Sequence, residues 1–168
     1  MGVPLMSESV CPGCQVTLPL MEGAVHRYMT STAACWNRYG ELLAREYGDP
    51  EYMAVHRFTV DAYAAQHPGE PSPQAIQSVA VHLTALCAAL EQGWPLSRLP
   101  RLLKNMADNG EFHWLEPPRH PGDFTVLHPL SATNATEHKT YVKQWAESVW
   151  GSWHEHHPQV HSWLKTFS

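Results

Sequence analysis

The chain has 168 residues, the size of one domain, and is long enough to bury a core without a disulfide scaffold. Sixteen acidic against 11 basic side chains leave a net charge of −5, which argues against a nucleic-acid-binding face. Twelve histidines, more than all Lys and Arg together, accompany 7 Trp and 14 Pro and raise the question of a metal.

Residues 1–10 carry no periodicity and read as a loose arm without the basic and apolar regions of a secretory signal. Residues 11–35 form a loop-rich segment holding three of the four cysteines. Helical spacing of Trp36, Tyr39, Leu42, Leu43 and Tyr47 predicts a first helix opening at Cys35 and ending at Gly48. Asp49-Pro50 supplies an N-cap and a first helical proline for a second helix reaching about His67, where Pro68-Gly69 stops it. Ser72-Pro73 repeats that start signal for a third helix, Pro73 to Gln92, the most apolar in the chain. No segment approaches the ~18 consecutive apolar residues of a membrane span. Residues 93–133 read as a short helix interrupted by Pro100, then a hairpin-like or irregular insertion beginning at Asn109-Gly110. A last long helix runs from about Asn134 to Trp153, and Pro158 breaks or restarts it. The fold class is therefore mainly α: one domain, an irregular bundle of four to five helices, with residues 36–92 as three core helices and 134–168 as the C-terminal helical part.

Cys11-Pro12-Gly13-Cys14 is the strongest chemical signal. Two thiolates three residues apart share a metal only if the chain turns sharply between them, and Pro-Gly suits that turn. Zinc takes four ligands, and His26 and Cys35 complete a C-x2-C-x11-H-x8-C set, a structural Cys3His site. A position at a helix N-terminus would also favour the Cys35 thiolate. The other readings are a redox pair, which normally accompanies a βαβ pattern, or simple packing of His26 and Cys35. Cys87 lies within the apolar third helix and reads as core.

Several histidines lie on helices. His56 and His67 share a stripe of the second helix with Tyr52, Val60 and Tyr63, but eleven residues rise about 16 Å, too far for one metal. His82 falls on the apolar face of the third helix, where it needs a hydrogen-bond partner, with Asp61 and Gln77 nearest if the two helices pair. His56, Asp61, His67 and His82 are thus the candidate catalytic residues, with His157 able to join them, if a cleft between the second and third helices holds a second metal. His157 and His161 have the i, i+4 spacing of a metal pair, yet Pro158 lies between them, and four histidines at 154–161 also suit a solvated surface cluster.

The CPGC motif, the stretch CWNRYGELLAREYGDPEYMAVHRFTVDAYAAQHPGEPSPQAIQSVAVHL, and the later WAESVW and HH segments resemble an uncharacterised bacterial family, domain of unknown function 5946. The resemblance covers most of residues 11–165 and implies no activity. Two functions follow from the residues themselves. One is a structural-zinc helical protein acting as a binding or regulatory module in the cytoplasm. The other is a metal-dependent hydrolase or transferase. The expected partner is a small molecule or a protein, a second copy of the chain included, with no nucleic acid and no membrane.

Overall fold

A computed structural model describes residues 2 and 4–168. Positions 1 and 3 of the expected arm lie outside the described residues. The end of that arm is structured: β1 (Glu8–Val10) pairs antiparallel with β2 (Thr17–Pro19), Val10 opposite Thr17. The CPGC motif is therefore the turn of a small hairpin. The 110–126 insertion takes the irregular option, with neither helix nor strand.

Among the described residues eight α-helices follow, two of them single turns. Helix α1 (Ala33–Gly48) begins two residues before the expected start, capped by the Thr32 side chain, and buries Cys35, Tyr39, Leu42 and Glu46 along one stripe. Asp49 caps the single turn α2 (Pro50–Met53) as the sequence predicts. The expected second helix is then broken at Ala54 and Val55, and α3 (His56–Gln66) starts afresh. Ser72 caps α4 (Pro73–Leu90) as expected. Pro100 sits in the first turn of α5 (Leu99–Asn109) and starts that helix instead of interrupting it. Helices α6 (Leu127–Leu130), α7 (Ala135–Ser152) and α8 (His157–Phe167) complete the chain, Pro158 again in a first turn.

Helix α4 is central, packing on α3, α5, α7 and α8. Among the described helices it alone is long and apolar enough to match a membrane span, but 61% of it is buried within the fold. Trp145, Trp153, Tyr63, Leu83 and Leu86 fill the core around it. The buried Gln66 side chain ties the insertion to this core. Its Nε2–H group donates to the carbonyls of Pro121 (3.0 Å) and Phe124 (2.8 Å), and its Oε1 accepts from the Trp145 indole at 2.9 Å.

Burying Glu46 completely requires partners for its carboxylate. His56 Nδ1 lies 2.7 Å from one oxygen, and His138 Nε2 lies 3.0 Å from the other, which also accepts from the Thr59 hydroxyl. This hub links α1, α3 and α7. Glu46→Ala is expected to lower unfolding free energy by about 3 kcal/mol, because it strands two imidazoles and a hydroxyl. Glu41→Ala, on the exposed face of α1, is expected to change it by less than about 0.5 kcal/mol. Urea unfolding of the two variants checks both values.

Candidate metal centre

The hairpin turn is built to present two sulfurs. The Cys11 N–H donates to the Val16 carbonyl and the Gln15 N–H to the Cys11 carbonyl, both at 2.9 Å, while Gln15 closes the loop at a φ of 64°. Gly13 lies where a side chain has no room: a Cβ there would stand 2.4 Å from His67 Cδ2, 2.8 Å from the Thr30 carbonyl oxygen and 2.9 Å from that of Gln66. Only glycine lets the turn settle against the end of α3. Cys35 comes from the first turn of α1, its N–H bonded to the Thr32 hydroxyl at 3.2 Å. There the free N–H groups and the helix dipole favour a thiolate.

The fourth donor is His67. It follows α3 directly, where Pro68 and Gly69 turn the chain away, and Gly69 has a φ of 77° with the Tyr28 carbonyl oxygen only 2.0 Å from where a Cβ would stand. His67 Nδ1 donates to the Tyr63 carbonyl at 2.7 Å, which leaves Nε2 with its lone pair directed at the cysteines. Cys14 Sγ and Cys35 Sγ are 3.7 Å apart, and Cys35 Sγ is 3.5 Å from His67 Nε2. The ligand atoms of Cys11, Cys14, Cys35 and His67 all lie within 4.8 Å of one another, and all four residues are buried. The Tyr63 hydroxyl stands 3.4 Å from Cys35 Sγ, and its ring stacks on that of His67.

Three sulfurs this close cannot all ionise without a cation. Hydrogen bonds from Cys14 and Cys35 hold the Cys11 thiol below its ordinary range. The same contact with Cys11 raises Cys14 and pushes Cys35 up to about 12, burial adding to both. A buried cluster in this condition can hold a metal ion, which would stabilise all three thiolates together.

His26 is not among the four. Its Nδ1 accepts from the Tyr28 N–H at 3.3 Å and its ring packs edge-on against Tyr28 and Trp36, so it takes the packing role left open by the sequence. His67, expected among the candidate catalytic residues with His56, Asp61 and His82, stands instead with the cysteines. The helix-end Pro68-Gly69, which turns His67 back toward the hairpin, was the available signal.

The other candidates go to separate networks. His56 bonds Glu46, whereas His82 Nδ1 is 2.7 Å from Asp61 Oδ1, one of the two partners, with Gln77, that the sequence offers it. Arg57 donates to both Asp61 oxygens in an i, i+4 ion pair within α3, and His82 joins that carboxylate to α4. His157 Nε2 donates to the Trp150 carbonyl at 2.9 Å. His56, Asp61, His67 and His82 therefore do not converge on one cleft.

Fold and site together define a mainly helical protein whose N-terminal hairpin meets the bundle at a buried Cys3His cluster. The chain belongs to DUF5946, a family of unknown function, whose model matches residues 9–154 and so spans all four residues of the cluster. No curated protein and no solved structure matches it. Gly13→Ala is expected to displace His67 and cost about 3 kcal/mol of stability, read by thermal unfolding, while Gly40→Ala, with open space around its Cβ, leaves the melting temperature unchanged or higher.

Proposed function

We propose that the protein is a zinc-stapled helical module that acts by binding, with Cys11, Cys14, Cys35 and His67 as a closed structural site. The supporting observation is metric. Tetrahedral zinc with Zn–S of ~2.3 Å and Zn–N of ~2.0 Å has sulfur–sulfur edges of about 3.8 Å and sulfur–nitrogen edges of about 3.5 Å. The Cys14–Cys35 and Cys35–His67 separations, 3.7 and 3.5 Å, match both. Four protein donors, all buried, leave no coordination position for a substrate, so the role of the ion here is to hold structure. Zinc also suits three thiolates and one imidazole better than a hard cation does. Four free cysteines suit a reducing compartment, the cytoplasm.

The binding role rests on what the staple supports. An open cleft of about 1070 Å³ lies between the insertion and the end of α7, walled by Pro117, Arg119, Phe124, Glu147 and Trp153. A smaller hollow of about 180 Å³ joins its Pro117, Arg119 and Trp153 wall to Pro12 and Gly13 of the hairpin turn. Gln15 donates to the Arg119 carbonyl at 3.0 Å, so the turn that carries two ligands also buttresses the cleft. A small molecule or a protein segment is the occupant this reading implies.

Elemental analysis of purified protein is expected to return one zinc per chain from this site, retained in His26→Ala and lost in Cys14→Ser and His67→Ala. Chelation of the wild type is expected to lower its melting temperature sharply. Protein that purifies without metal and melts identically in chelator overturns the reading.

A further inference from the structure

The C-terminal histidines do not form one solvated cluster. His154 bonds its own turn at the Gly151 carbonyl, and His156 reaches the Glu116 carbonyl. His157 and His161 face the C-terminal end of α4 instead. His161 Nε2 lies 2.6 Å from Glu91 Oε2, and Cys87 Sγ, one turn earlier on α4, lies 3.8 Å from the same oxygen. The ligand atoms of Cys87, Glu91 and His161 all fall within 4.8 Å of one another.

The surroundings orient these donors. The Trp150 indole N–H donates to Glu91 Oε1 at 2.9 Å, fixing the carboxylate with Oε2 toward Cys87 and His161. His157 stacks flat on the Trp150 ring, with centroids 3.8 Å apart, and its Nε2–H is taken by the Trp150 carbonyl. In the neutral ring Nδ1 therefore carries a lone pair, and it stands 3.9 Å from Glu91 Oε1. An ion pair between Glu91 and His161 accounts for one of these contacts. It does not account for a buried thiol and a carboxylate with one oxygen restrained at the end of α4 meeting two imidazoles from α8.

We propose that Cys87, Glu91 and His161 form a second, exchangeable site for a borderline divalent transition-metal ion such as zinc or cobalt. One thiolate and one carboxylate neutralise a dication, and the mixed sulfur, oxygen and nitrogen donors match that class of metal. Tetrahedral bonds of ~2.0–2.2 Å to Glu91 and His161 need an edge of about 3.4 Å, so the ion replaces the proton between them and spreads the pair. The exposed His161 side chain is free to make that movement. Three protein donors leave a fourth position, which opens on a cleft of about 390 Å³ bordered by Gln92, Trp94 and Lys165. His161 lies beyond the span matched by the family, and the site shares no residue with the Cys3His cluster.

Cobalt(II) titration of the full chain as purified, with zinc content followed in parallel, tests the site. One cobalt is expected to bind beyond the metal carried by the four-residue cluster, without zinc release, giving a thiolate-to-cobalt absorption band. Cys87→Ser is expected to abolish that band, and His161→Ala to weaken the added equivalent by at least about tenfold. Both variants keep the first metal, whereas Cys14→Ser loses the first and keeps the second, so the two sites fail separately. Cobalt that enters only by displacing the zinc of the four-residue cluster, so that Cys14→Ser takes up none, overturns the proposal. So does an added equivalent that survives in His161→Ala and disappears in the His154→Ala, His156→Ala double variant. Should Cys87→Ser not fold, His161→Ala, altered at an exposed side chain, decides the matter alone.

Discussion

Three sulfurs and one imidazole nitrogen, drawn from a hairpin turn, the first turn of α1 and the end of α3, meet within 4.8 Å in a dry interior. Without a dication such a group is costly, since each thiolate formed raises the proton affinity of the next. With one, the same closeness becomes the strongest constraint in the molecule. The hairpin has only three residues per strand and could not persist by its own pairing. It is held where it is because Cys11 and Cys14 face Cys35 and His67 across it. The consequences spread outward: Gly13 seats the turn, Gln15 meets Arg119, and the insertion takes up its place against Gln66.

The remaining buried polarity follows a different rule. Glu46 and Asp61 are buried carboxylates; Glu46 meets donors from α3 and α7, and Asp61 meets Arg57 of its own helix and His82 of α4. His56, His138 and His82 serve there as hydrogen-bond donors that a carboxylate needs, placed between helices so that burial of the acid fixes the packing of α1, α3, α4 and α7. Three of the twelve histidines are thus the counterparts of buried acids. One imidazole, His67, answers to the thiolates instead.

Much of this was legible in the sequence where the physics is local. Asp49-Pro50 and Ser72-Pro73 mark helix starts because capping and proline geometry are properties of adjacent residues. The apolar stripe of α4 and the pairing of His82 with Asp61 were readable because helical periodicity sets which residues share a face. CPGC was readable because its turn and its ligands are contiguous. What failed was non-local. His26 is nearer to the cysteines in sequence, yet its segment passes along Tyr28 and Trp36, while α3 returns His67 to the hairpin from 32 residues beyond Cys35. The break at Ala54 and Val55 has no glycine or proline to announce it, and it accompanies the turning of His56 inward to Glu46, a partner on another helix.

Burial then separates what a transition-metal ion can do at two places in one fold. At the N-terminal cluster every donor is a protein atom and every donor is inaccessible, so an ion there could leave only by opening the hairpin, and its binding energy is folding energy. At the end of α4 the thiol is buried, but the carboxylate and the imidazole are reached by solvent, and the exposed His161 side chain can move without unfolding the helix. An ion at that proposed site could leave without opening the fold. Donor sets of different composition and depth would make a staple in one case and an exchangeable site in the other. That difference is set by which helix ends reach the surface, and not by the count of histidines.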